Sequence, residues 1–197
     1  MIGVFGGSFN PVHSGHLLLA EYIREEFKLD KIVFIPAKKP PHKVDSDLAT
    51  AQHRYNMVQI AISNNPFFEV SDTELNREGL SYTADTLVEM REENPDKKFF
   101  FICGADSIIN LSTWHNVNEI FKFADVIAAG RAEASDIEFQ NMIQWYQEQY
   151  NAKIFCSGAP LIEISSTGVR NRIKEGKSIR YMVPEMVYNY IQLHRLY

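Results

Sequence analysis

Cysteine is almost missing from this chain: Cys103 and Cys156 are the only two in 197 residues. That is too few for a disulfide framework or a zinc ribbon. Cys103 closes the apolar run Phe99-Phe100-Phe101-Ile102, where it reads as a buried small hydrophobe. A surplus of positive charge is missing too. The net charge is -5 and the isoelectric point about 5.7, which argues against general affinity for nucleic acid, whose backbone demands many phosphate contacts. A local basic pocket for a small phosphate ligand stays compatible with that balance. No apolar stretch approaches the ~20 residues a membrane helix needs. A strand and glycine turn begin at residue 2, where a signal peptide would otherwise stand. The expected location is the cytoplasm, with no membrane partner. Repeats, low-complexity segments and linkers are absent as well, and a homo-oligomer is left open.

What is there is enough for a full core: 45% hydrophobic, 23% charged and 12% aromatic residues. The length suits one domain over 1–197, taking ~150 residues per domain as a soft prior. Ile2 to Phe5 reads as a buried strand, Gly15 to Phe27 as a helix and Lys31 to Ile35 as a second strand stopped by Pro36. A proline-rich basic loop leads to a helix from about Thr50 to Ser63. Phe67 to Val70 reads as a strand, followed by a polar loop through Ser81. Thr83 to Arg91 is helical, and Lys98 to Cys103 and Asp125 to Ala129 are strands with short helices between them. Ile137 to Tyr150 is an amphipathic helix, and Ile154-Phe155 and Leu161-Ile162 are short strands. Val169 to Lys174 and a last helix opened by Pro184 complete the order. Such alternation predicts an α/β fold, a Rossmann-like doubly wound parallel sheet, with a small C-terminal helical subdomain. Ligands then bind beyond the carboxyl ends of the strands, where strand order reverses.

The most informative stretch is Gly6-Gly7-Ser8-Phe9-Asn10-Pro11-Val12-His13-Ser14-Gly15-His16. It follows a strand and opens a helix, a place that offers backbone N–H groups and a positive helix end to an anion. Gly6 and Gly7 allow a tight turn and close approach of a ligand. His13 and His16 are three apart and can project from one helical turn, and Gly15 between them leaves room for phosphate oxygens. The pattern is neither a Walker A loop nor a dinucleotide GxGxxG. Two helix-capping histidines on a glycine turn, or a metal site, are the competing readings; no tight cluster of further ligands supports a protein-held metal.

Near the other end, Ile164-Ser165-Ser166-Thr167-Gly168-Val169-Arg170 reads as a second helix start, capped by Ser165 or Ser166. Arg170 lies one turn in, able to grip phosphate with its fork of donors. Alone, this is no more than an ordinary cap. Gly104-Ala105-Asp106-Ser107 follows the fourth strand, where Asp106 can bond a ribose hydroxyl or cap the next helix.

Taken together, the HxGH stretch and Ile-Ser-Ser-Thr-x-x-Arg resemble the two signatures of the HxGH nucleotidyltransferases. The resemblance implies that His13, His16 and Arg170 act on the triphosphate of ATP. It implies that Gly6, Gly7, Ser8, Phe9, Gly104, Asp106, Ile164, Ser165 and Ser166 form the rest of the ATP site. Pro40-Pro41-His42-Lys43, Ser81-Tyr82-Thr83-Ala84-Asp85-Thr86-Leu87 and Gly104 through Trp114 are similar to the bacterial nicotinate mononucleotide adenylyltransferases, over nearly the whole chain. Membership would imply adenylyl transfer from ATP to nicotinate mononucleotide in NAD biosynthesis, with Mg²⁺ carried mainly by ATP phosphates and no protein-held metal. The alternatives are an acceptor such as phosphopantetheine or a non-catalytic nucleotide sensor.

On that reading Trp114 stacks on the pyridinium ring, although core packing would equally explain it. Tyr82 and Thr83 begin a helix able to accept the nicotinate carboxylate. His42 and Lys43 take the acceptor phosphate, unless Lys43 is simply a solvated charge. His115 stands where the family often has an aromatic residue. Arg131-Ala132-Glu133 replaces the family's common Arg-Pro-Gly, with Arg131 still expected to reach the ligand. Asn10 replaces a common Asp, which is read as a change of turn chemistry only.

Overall fold

The computed structural model describes residues 1–41, 47–129, 137–160 and 162–197, with Ala105 described by its backbone alone. Six apolar runs form one sheet: β1 (Ile2–Gly7), β2 (Lys31–Pro36), β3 (Phe68–Val70), β4 (Phe99–Gly104), β5 (Ala124–Ala129) and β6 (Ile154–Cys156). The order is β3-β2-β1-β4-β5-β6, and every pairing is parallel. Each strand serves two cores by simple alternation. Val33, Ile35, Phe99, Phe101 and Val126 point to one face. Ile32, Phe34, Phe100, Ile102 and Ile127 point to the other.

Helices cover both faces, as two apolar faces of a parallel sheet require. On one side α1 (Ser14–Glu26) and α2 (Ala51–Ile62) bury Ala20, Ile23, Met57 and Val58. The short α3 (Thr73–Asn76) follows β3. On the opposite side α4 (Thr83–Glu93), α5 (Ala105–Asn110), α6 (Val117–Phe123) and α7 (Ile137–Tyr150) contribute Leu87, Ile108, Ile120 and Tyr146. The C-terminal helices, α8 (Ser166–Lys174) and α9 (Glu185–His194), seat Val169, Val187 and Ile191 in the same core as α1 and α2. No helix of the described residues is long and apolar enough to cross a membrane.

The elements differ from the sequence-based expectation in a few places. Ile162 lies in no strand, and Leu161 falls outside the described residues. Ser157 donates the last bond to Ala128, and Gly158-Ala159-Pro160 then carries the chain away; a proline has no N–H with which to extend a ladder. The polar stretch before Ser81 contains α3, whose first turn closes on the carbonyl of Asp72. Pro184 sits one place before the last helix instead of opening it.

Strand order reverses at β1, which lies between β2 and β4. The first chain excursion runs outward through β2 and β3, the second through β4, β5 and β6. The loops leaving β1 and β4 therefore diverge and open a crevice at the carboxyl edge.

Candidate active site

The crevice holds two cavities, one on each side of the loop that leaves β1. The larger, about 560 Å³, is lined by Gly6, Gly7 and Ser8 from that loop, by Phe101, Cys103 and Gly104 of β4, and by Tyr82, Thr83, Trp114 and His115. The smaller, about 170 Å³, is bordered by His13, Gly15, His16, Ala129, Ile162 and Ile164. Residues over 150 positions apart in sequence thus face each other across the smaller cavity, as a two-motif site requires.

The glycines of the first loop have separate reasons. A Cβ on Gly7 would lie 3.1 Å from the ring of Phe9. Phe9 itself adopts a left-handed φ of 44°, unusual for a bulky residue, and is buried, packed edge-on to Phe5 and His16. Its ring is the floor of the loop and borders neither cavity. A Cβ on Gly15 would stand 3.1 Å from His13 Nδ1, so the imidazole is what the missing side chain makes room for. Gly104 has nothing within 4 Å of its would-be Cβ and faces the larger cavity.

His13 and His16 stack with ring centroids 3.6 Å apart. The backbone N–H of His13 donates to His16 Nδ1 at 3.2 Å. With Nδ1 accepting, the neutral His16 ring carries its proton on Nε2, an assignment made from the hydrogen bond. The first helical N–H, that of Ser14, is taken by the carbonyl of Met182 at 2.8 Å, so this helix end offers an anion less than the sequence suggests.

His13 is buried, and its Nδ1 has no partner among the described residues. Burial pushes its pKa down from 6.5 to about 4. His13 is therefore a neutral group at pH 7, able to bond an oxyanion without bringing charge. The unfolded chain takes up this proton near pH 6.5, the folded chain only near 4. The resulting stability is complete above 6.5 and is lost as pH falls through 4, with an upper bound of about 3 kcal/mol. The Tm of the wild type should fall more steeply between pH 6.5 and 4 than that of His13→Asn, measured by thermal unfolding across that range. Parallel slopes would show that the imidazole protonates freely in the fold.

The second motif is bolted to the first. Ser165 is the cap of α8, its Oγ accepting from Gly168 N at 3.0 Å. Ser166 Oγ donates to Pro11 O at 2.9 Å, and Arg170 Nη1 donates to Asn10 O at 2.9 Å. Arg170 is buried, and its Nη2 lies 3.4 Å from Thr167 Oγ1. Charged and hydroxyl groups expected at phosphate thus stand beside the first loop and join its carbonyls.

Asn10 is more than a turn residue. Its Oδ1 accepts from Ala49 N at 3.1 Å and from Tyr197 Oη at 2.8 Å, while its Nδ2 donates to Asp47 O at 3.0 Å. An aspartate could not make the last of these bonds. Asn10 therefore does more than change turn chemistry: its side chain ties three segments together.

Arg54 is a functional residue that motif spacing does not reveal. It is fully buried on α2, donating through Nη1 to Ser8 O at 2.7 Å, through Nε to Ala49 O at 2.9 Å and through Nη2 to Lys38 O at 3.2 Å. Burial pulls its pKa down to about 10, which still leaves it charged at pH 7. One signal existed. Arg54 falls three and four residues before Met57 and Val58, on the apolar stripe of its helix, where a charge needs a reason.

On the acceptor side, the rings of Tyr82 and His115 stack at 4.3 Å, and Trp114 stands edge-on to Phe101 at 6.0 Å. Glu74, within the stretch read as polar loop, is a buried carboxyl in the wall of the larger cavity. Burial raises its pKa, opposed by hydrogen bonds from Thr86 and Ser81 and by the charge of Arg77. Asp106 is exposed in the first turn of α5 and borders neither cavity. His42, Lys43 and Arg131 lie outside the described residues.

This arrangement has counterparts among known proteins. The Cytidylyltransferase-like family matches residues 4–172. A protein of Lachnoclostridium phytofermentans named "Probable nicotinate-nucleotide adenylyltransferase" is 45% identical over 100% of this chain and 98% of its own length. One of the same name from Salinibacter ruber is 40% identical over 100% and 97%. Among solved structures, a Plasmodium falciparum nicotinic acid mononucleotide adenylyltransferase complexed with NaAD superposes with a TM-score of 0.77. It is 20% identical and covers 99% of this chain and 96% of its own. With its sheet order, its two joined motifs and this full-length likeness, the chain belongs to the Cytidylyltransferase-like family, among the nicotinate-nucleotide adenylyltransferases.

Proposed function

We propose that the chain transfers the adenylyl group of ATP to nicotinate mononucleotide, giving nicotinate adenine dinucleotide and pyrophosphate. The observation that carries this is the pair of cavities on one loop: the two imidazoles and Ile164 of the second motif border one, and aromatic rings with the start of α4 border the other. Two ligands bound in them meet at Gly6 to His16. An oxygen of the acceptor phosphate attacks the α-phosphorus of ATP in line. The bond from that phosphorus to the β-phosphate oxygen breaks, and pyrophosphate leaves with the electron pair. The nucleophile is already ionised, so no protein base is needed, and the protein supplies position and charge stabilisation.

On this reading His16 Nε2–H and the neutral His13 donate to the oxygens on the leaving side. Arg170 and the capped start of α8 add positive potential beside them. Among the described residues no three His, Cys, Asp or Glu side chains gather to hold a metal. A divalent cation would fit as Mg²⁺ held by ATP phosphates and water, supplying neutralisation of the triphosphate charge. Gly6, Gly7 and Ser8 approach both ligands from the loop.

At the acceptor, Trp114 offers a face to the pyridinium ring, with the stacked Tyr82 and His115 beside it. Thr83, as the first residue of α4, presents a helix start suited to a carboxylate. His42, Lys43 and Arg131 are assigned to the acceptor, on the same reading, by sequence alone. An amide in place of the acid would set donor against donor, a mismatch of about 1–3 kcal/mol. Pyrophosphate release should therefore be fastest with nicotinate mononucleotide, about 5- to 150-fold lower in kcat/KM with nicotinamide mononucleotide, and absent with phosphopantetheine. Equal rates with the two mononucleotides would refute the acid preference, and turnover of phosphopantetheine alone would refute the acceptor.

A further inference from the structure

The acceptor cavity has two walls that come from different parts of the chain. Ala37, Pro40 and Pro41 follow β2, and Tyr82 and Thr83 open α4. Ser81 joins them. Its N–H donates to Lys39 O at 3.0 Å, and its Oγ accepts from Lys38 N at 3.0 Å and Lys39 N at 3.2 Å. A hydroxyl has one proton to give; with two donors already on the oxygen that proton is left for another acceptor, and Ser81 favours the charged form of the Glu74 carboxyl. Thr86 makes the direct bond. Its Oγ1 accepts from Arg77 Nη1 at 3.0 Å and donates to Glu74 Oε1 at 2.7 Å. Arg77 is itself held by both carboxylate oxygens of Glu89, at 2.9 and 2.6 Å, and its carbonyl takes Lys38 Nζ at 2.9 Å.

The buried acid in this cluster is Glu74. A carboxylate accepts on both oxygens, whereas a carboxamide accepts at one end and donates from the other, so its NH2 would face Ser81 if its oxygen kept the bond from Thr86. Resting on the acceptor proposed above, we infer that Glu74 is a positioning residue for acceptor recognition: by fixing Ser81 and Thr86 it sets the distance between the Lys38–Lys39 wall and the Tyr82–Thr83 helix start. On the proposed reading the triphosphate of ATP lies at the smaller cavity, whose lining does not include Glu74. Disturbing Glu74 should therefore affect the two substrates unequally, which a general loss of packing would not do.

Glu74→Gln keeps the volume but turns one acceptor into a donor aimed at a hydroxyl. The expected result is a rise of about 10-fold in KM for nicotinate mononucleotide, with KM for ATP within about 2-fold of the parent and kcat within about 3-fold. Thr86→Val should give a similar but smaller split, and Thr86→Ser, which keeps the hydroxyl, should restore the parent value. If Glu74→Gln fails to fold, the two Thr86 variants carry the comparison. Equal rises in both KM values, or an unchanged acceptor KM in Glu74→Gln and Thr86→Val alike, would overturn the inference. The parent enzyme is run alongside. Its failure to use nicotinate mononucleotide would refute the proposed function itself, and a working parent with unsplit variants refutes only the role of Glu74.

Discussion

His16→Ala is expected to lower kcat by about 10²- to 10³-fold while leaving KM for ATP within about 3-fold. The expectation follows from where the ring's two nitrogens go. Nδ1 is occupied by the N–H of His13, so its role is to hold the ring. Nε2 then carries the proton, and the ring borders the smaller cavity. A donor placed where charge grows on the leaving oxygen helps the transition state more than the ground state, so the loss appears in kcat. Two further variants separate the nitrogens. Asparagine places its oxygen near the position of Nδ1 and keeps the bond to His13 N, but loses the outer donor. Glutamine reaches the position of Nε2 and can still donate there. Single-turnover rates should rank the parent first, then His16→Gln, with His16→Asn close to His16→Ala. If His16→Asn were as active as the parent, the ring would be a support for the loop and nothing more.

The second large effect concerns stability. Arg54→Met should cost roughly 3–5 kcal/mol, because it removes a buried side chain's donors from three half-buried carbonyls, those of Ser8, Ala49 and Lys38, at about 1–3 kcal/mol for each orphaned group. For a chain of this length that is a fall of about 10 °C in Tm. Arg54→Lys keeps the charge but not the fork, and should recover only part of the loss. Urea unfolding read by far-UV circular dichroism measures the difference. A change under about 1 kcal/mol in Arg54→Met would show that these carbonyls find water or relax outward. The effect should extend to the site, since Ser8 lines the larger cavity and Lys38 is joined to Ser81.

The fold could be read from the sequence because each strand is an uninterrupted apolar run and each long helix shows one buried stripe. Phe99-Phe100-Phe101-Ile102 serves two cores by alternation alone. The two motif regions could be read for the same local reason: His13 to His16, and Ser165 to Arg170, are contiguous, and their spacing fixes which residues share a helical turn. Other features carry no such local signature. Glu74 sits in four helical residues amid polar sequence, with no periodicity to mark it as buried. The meeting of Ser166 with Pro11, and of Tyr197 with Asn10, joins positions 155 and 187 residues apart, a relation that one sequence does not encode locally. Gly15 shows a subtler limit. It borders the smaller cavity, as room for a ligand requires, and its lack of a side chain also clears the His13 imidazole, which spacing alone does not announce.

The amide of Asn10 has a chemical consequence as well. Both of its ends are used, and conversion to the acid would abolish the donation to Asp47. Asparagine side chains age chiefly by cyclising onto the nitrogen of the next residue, a path that needs an N–H there. The next residue is Pro11, which has none. The one side chain in the loop that could not tolerate deamidation is therefore followed by the residue that blocks its ordinary route.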